Sequence, residues 1–254
     1  MSIAEKLSIV ANNTKKVYDA GYESGKEHGL ELGGGADFKG FWEKYMQKGG
    51  IYGAAYMFAF GGWNDATFTP TYSLKYLTNA GNMFNTCGVT DLKGILERQG
   101  VVFDFSKVTN FVQAFSYSKL THLPTIDTSS ANALSTTFGY SSSLISIPLI
   151  LKDDGTQTFP NTFIKCTSLT NLTIEGVIGN DIDLKWSPLS RASIKVLITH
   201  LSQTTTGKTV TLNEDAVNNA FATSEGANDG STSSMWESLV ASRSNWTISL
   251  INPS

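Results

Sequence analysis

The chain has 254 residues, with 19 basic and 22 acidic side chains, a net charge of −3 and a charged fraction of 16%, against about 25% in an ordinary soluble domain. Its 41% of hydrophobic residues suffice for a core and exclude wholesale disorder. The slight negative charge excludes a nucleic-acid binder that works through a basic field, and no run approaches the ~18 apolar residues of a membrane span.

Charge is also unevenly placed. Residues 1–50 hold 14 charges, whereas residues 111–150 hold only Lys119 and Asp127 and are rich in Ser and Thr. The first 16 residues lack the apolar run of a signal peptide, so the expected product is made in the cytoplasm and leaves, if at all, by lysis or another non-Sec route.

Residues 1–32 read as a helix. Ile3, Leu7, Val10, Thr14 and Val17 alternate spacings of four and three, the seam of a short coiled coil. A helix of this length is marginal alone. Its partner is either the same helix of another chain, giving a dimer or trimer, or the body of its own domain. Gly33, Gly34 and Gly35 then break the chain as a flexible linker. No Lys-Ser/Thr follows them to make a phosphate loop.

Residues 33–80 are dense in aromatics, among them Phe38, Phe41, Trp42, Tyr45, Phe58, Trp63 and Phe68. Such a cluster beside a repeat array is expected to cap the array's open apolar end; a sugar-binding platform is the alternative. Asn64-Asp65 and Thr69-Pro70 are turn signals.

Residues 81–186 repeat. Phe84, Phe115, Phe138 and Phe163 each open a turn that leads to an apolar strand, through Leu120, Leu144, Leu169 and Leu172 in the better-formed units. Spacings between 23 and 31 residues fall in or near the range of leucine-rich repeats. The phenylalanines and leucines are expected to point inward and stack from one unit to the next. The insertion between Phe84 and Phe115 is expected to form a longer loop or an extra strand from Gly94 to Asp104.

Residues 187–254 read as an α/β cap. Ser190 is placed to cap a helix carrying Ile194, Leu197, Ile198 and Leu201. A strand over 209–212 and a short helix capped by Asn213 follow. After a polar loop over 226–233, Ser234 and Glu237 read as a capping box, and Trp246, Ile248 and Leu250 alternate as a last strand.

The segments NTFIKCTSLTNLTI (161–174) and QAFSYSKLTHLPTI (113–126) resemble the BspA-type leucine-rich repeat, although the second lacks the cysteine of that pattern. KKVYDAGYESGKEHG (15–29), the block over 189–221 and SSMWESLVASRSNWTISLI (233–251) resemble leucine-rich-repeat proteins encoded by phages and prophages of Gram-positive and gut bacteria. The resemblance implies an α+β fold: a BspA-like solenoid with an N-terminal coiled-coil-like helix and a helical C-terminal cap. It also implies a virion-associated location and contact with other virion proteins.

Nothing in the sequence forms a catalytic constellation. Cys87 and Cys166 have no partner motif, and His28, His122 and His200 lack ligand spacing, so neither a disulfide scaffold nor a zinc site is expected. Two lone buried thiols are the expectation. Asp181 and Asp183 fall short of a calcium shell, and no G-x-S-x-G occurs. No enzyme activity, cofactor, metal, nucleic acid or membrane insertion is expected. The expected function is a non-enzymatic adhesion module of a phage or prophage virion that recognises a host-surface glycan or protein, with Tyr117, Lys119, His122 and Tyr140 as contact candidates. A purely structural virion component and a bacterial surface adhesin are the alternatives.

Overall fold

The structure is a computed structural model that describes residues 58–59, 63–70, 73–221 and 231–253. The helical seam of Ile3, Leu7, Val10, Thr14 and Val17, and the aromatics from Phe38 to Tyr45, lie outside the described residues.

Two rows of backbone hydrogen bonds run through residues 81–175. The first is a row of turns. The phenylalanine turn of each unit donates to the turn of the next: Phe84 N to Ala114 O at 2.7 Å, Phe115 N to Thr137 O at 2.8 Å and Phe138 N to Thr162 O at 3.1 Å. Each turn begins and ends with a non-glycine residue in the left-handed region. The pairs are Asn82 and Thr86, Gln113 and Tyr117, Thr136 and Tyr140, and Asn161 and Lys165, with φ between 50° and 62°. Such a conformation costs on the order of 1 kcal/mol or more per residue. It persists because it aims the amide of the fifth residue at the next turn, as in Tyr117 N to Gly139 O at 3.0 Å and Tyr140 N to Ile164 O at 2.6 Å.

Beneath the turns the four phenylalanine rings form a column. Phe84–Phe115, Phe115–Phe138 and Phe138–Phe163 have centroids 5.6–5.7 Å apart and planes within 14° of parallel. All four are buried, as are Leu120, Leu144, Leu169 and Leu172. The register continues upstream of residue 81: Phe58 N donates to Met83 O at 2.9 Å, and the Phe58 ring lies 5.0 Å from Phe84.

The second row is made of strands. Asp91, His122, Ser146 and Asn171 pair in turn, all in parallel. Around them β1 (Ile126–Asp127), β2 (Ser146–Ile150) and β3 (Asn171–Glu175) form a parallel sheet in the order β1-β2-β3. Alternation decides which face is inside: in β3, Leu172 and Ile174 are buried while Asn171, Thr173 and Glu175 face outward.

Side chains close both ends of this row. Asp65 accepts Thr90 N at 2.6 Å and the Thr90 hydroxyl. These bonds outweigh partial burial, so its carboxyl titrates below the usual carboxylate value. At the other end Ser193 Oγ accepts Leu172 N at 2.9 Å and donates to Thr170 O at 3.0 Å. Exposed strand edges invite pairing with other chains, and here a carboxylate and a hydroxyl stand where a strand would.

Between the units of Phe84 and Phe115 lies a helix, α1 (Leu92–Gln99), rather than a longer loop or extra strand. The Asp91 side chain caps it by accepting Gly94 N at 2.9 Å, and Leu92, Ile95 and Leu96 form its buried stripe. Gly100, at φ 63°, ends it with its N–H on Glu97 O and Leu96 O, the usual left-handed helix stop. A parallel bridge from Leu74 to Phe103 follows.

The last part of the chain keeps parallel pairing but lengthens the connections. Strands β4 (Ile182–Leu184), β5 (Lys208–Asn213) and β6 (Trp246–Ile251) form a second parallel sheet in that order. Helix α2 (Arg191–Thr199) joins β4 to β5, and α3 (Glu214–Phe221) and α4 (Ser231–Ala241) lie between β5 and β6. Ser190 caps α2 through Ser193 N, and Asn213 caps α3 through Ala216 N at 2.8 Å. The Ser234–Glu237 capping box does not form a helix start, because α4 already begins at Ser231; residues 231–233 are therefore helix instead of polar loop.

Candidate binding surface

The left-handed residue that ends each phenylalanine turn projects its side chain from the corner of the stack. Two consecutive units place tyrosine there. Tyr117 and Tyr140 are 50% and 39% exposed, and their rings stack with centroids 4.6 Å apart and planes at 2°. Parallel pairing of adjacent units makes this distance: neighbouring strands lie about 4.7–4.9 Å apart, so equal rotamers at equal positions bring the rings into contact. In the next unit Lys165 holds the same position, with its Nζ 3.3 Å from the centroid of the Trp186 ring, a cation–π contact. Tyr117, Tyr140, Lys165 and Trp186 therefore continue one another along the corner.

Two residues further along each turn, beyond a buried hydroxyl or thiol, stand Lys119, Ser142 and Thr167, all exposed. The corner thus carries two rows, one of rings and one polar. His122 is not part of it: it sits in the strand row, bridged to Asp91 and Ser146, with Nδ1 3.1 Å from Thr121 Oγ1.

Several of the serines and threonines in residues 111–170 face inward. Ser116, Ser118, Thr137, Ser141 and Thr162 are buried, and each is hydrogen-bonded. Ser141 Oγ donates to Phe115 O at 2.6 Å, Thr137 Oγ1 to Phe111 O at 3.1 Å, and Thr162 Oγ1 to Leu134 O at 2.5 Å. These hydroxyls join one unit to another and are not offered to a ligand. Cys166 holds the place of Ser141 one unit later, its thiol donating to Phe138 O at 3.1 Å.

Both thiols are free and buried. Burial pushes Cys87 up to about 11 and Cys166 up to about 12, so each stays a thiol at neutral pH and is a poor nucleophile. Asp181 accepts Thr209 N at 2.7 Å, and Asp183 pairs with Lys185 at 2.9 Å. His200 Nδ1 lies 2.8 Å from Val196 O at the end of α2. Among the described residues, no three His, Cys, Asp or Glu side chains gather as metal ligands, and no helix is long and apolar enough to cross a membrane.

Comparison with protein-family models, with curated proteins and with solved structures finds no match.

Proposed function

We propose that the parallel units form a BspA-type leucine-rich-repeat solenoid, and that the chain is a non-enzymatic adhesion module of a phage or prophage virion. The units would act as a rigid rod that holds a recognition corner towards a host-cell surface. The exposed Tyr117–Tyr140 stack carries this reading: large amphipathic rings held at fixed spacing supply contact area at low entropic cost. A stacked solenoid suits this work because its outward positions vary while the inner ladder stays fixed. In this reading residues 1–32 tether the module and join copies through Ile3, Leu7, Val10, Thr14 and Val17. Replacing Leu7 and Val10 by glutamate should then convert an oligomer to a monomer in light scattering, and an unchanged mass would remove the tether.

One observation favours the second reading, a structural virion component that recognises no host. The facing sides of Tyr117 and Tyr140 cover each other, so the pair also serves as a ladder between units. Retention of the full chain on bacterial cells decides between the two. Adhesion predicts saturable retention on some strains and none on others; equal failure across a broad panel of Gram-positive and gut strains would overturn adhesion and leave the structural role.

A further inference from the structure

We infer that the corner formed by Tyr117, Tyr140, Lys165 and Trp186, with Lys119 beside it, is a binding surface for an anionic polysaccharide that runs along the stack. This deepens the adhesion reading and rests on it. Charge is the first observation. From residue 105 to Trp186 the carboxylates are Asp127, Asp153, Asp154, Glu175, Asp181 and Asp183. Asp127 ends β1, Asp153 and Asp154 follow β2, Glu175 ends β3, Asp181 accepts Thr209 N, and Asp183, close to Trp186 in sequence, is paired with Lys185 at 2.9 Å. The turns carry Lys119 and Lys165 and no carboxylate. The charges carried by the turn corner itself are therefore ammonium groups, and such groups attract polyanions.

Shape is the second observation. The strip is linear, because Tyr117, Tyr140 and Lys165 occupy the same position in successive units and Trp186 meets Lys165 at the end of the row. It repeats at the stacking distance, seen in the 4.6 Å between the tyrosine rings. A ligand that matches it is a chain with regularly spaced groups, and a compact solute would meet only one step. The third observation is chemical. Tyrosine edges with hydroxyl tips, the tryptophan ring, and the exposed hydroxyls of Ser142 and Thr167 suit the mixed apolar and hydroxylated faces of sugar rings. The exposed Lys119 ammonium supplies the charge-assisted hydrogen bonds that a carboxylate or sulfate on the sugar accepts, and Lys165, seated on the Trp186 ring, adds positive charge beside it.

The test uses the full chain in affinity electrophoresis through gels containing polygalacturonate, alginate, hyaluronate, or the neutral polymer pullulan. Retardation by at least one polyanion and none by pullulan is expected. Replacing both tyrosines with asparagine, which tolerates the left-handed backbone, should weaken binding about tenfold or more. Lys119→Gln with Lys165→Asn should weaken it and flatten its dependence on salt. Thr173→Ala, on the outward face of β3, should change nothing. Absence of retardation by all three polyanions, or retardation indifferent to the tyrosine pair, would overturn the inference. If the fourfold corner variant still binds cells as the unaltered protein does, the corner is wrong and adhesion stands. If neither protein binds cells, adhesion fails with it.

Discussion

The turn row and the strand row are built from the same units and meet the same core, yet they treat solvent differently. The strand row presents polar side chains, exposed at His122 and Asn171 and half-buried at Asp91 and Ser146, and is closed at both ends by Asp65 and Ser193. The turn row accepts two left-handed residues per unit and places tyrosines on its exposed corner. Regular strands pair by backbone alone and need only small outward residues. A tight turn must be over-determined by its surroundings, and the phenylalanine column with its buried hydroxyls does this. The row that is harder to build is the one that aims large side chains outward.

Removing the column should show how far the turn row depends on it. Phe138 is fully buried and stacked on both sides at 5.6 and 5.7 Å. Phe138→Ala should destabilise the protein by about 3–5 kcal/mol in urea or thermal melts. A loss under about 1 kcal/mol would mean that the rings fill space without bracing the turns. On the strand row, Ser193→Ala removes the buried partner of Leu172 N and Thr170 O and should cost about 1–3 kcal/mol. It should also raise hydrogen exchange at Leu172 while leaving Phe138 protected; exchange rising equally at both would show that the rows open together. The exposed corner should matter least. Tyr117→Asn loses a stacking contact but gains a residue suited to φ 55°, so melts should show a change within about 1 kcal/mol.

The sequence made the periodic parts of this fold legible. The four phenylalanines and the leucines after them, the caps Ser190 and Asn213, and the alternation of Trp246, Ile248 and Leu250 all appear as local patterns that packing did not override. Helix α1 was also readable, from Asp91 as a cap, Leu92, Ile95 and Leu96 as a stripe, and Gly100 as a stop; its place inside a repeat spacing hid it. The start of α4 was not readable, because the polar residues before Ser234 look like a loop and like a helix's first turn. At the candidate surface, residue type singled out Tyr117, Lys119 and Tyr140. Their separation from His122 was not readable, since which outward position belongs to which row depends on the register between units. Nor was the inward use of Ser141, Thr137 and Thr162, because a hydroxyl in a turn gives no local sign of which way it points. The place of Trp186 has no local sign either: it meets Lys165 across 21 positions of sequence.

The claim that the turn corner is the working face is tested most directly by one comparison on bacterial cells. The full chain, a turn-row variant (Tyr117→Asn with Tyr140→Asn) and a strand-row variant (His122→Ala with Asn171→Ala) are measured for retention on a strain that the unaltered protein binds. The turn-row variant should lose about tenfold or more in affinity while the strand-row variant binds as the unaltered protein does. Loss in the strand-row variant with the turn-row variant intact would contradict that claim.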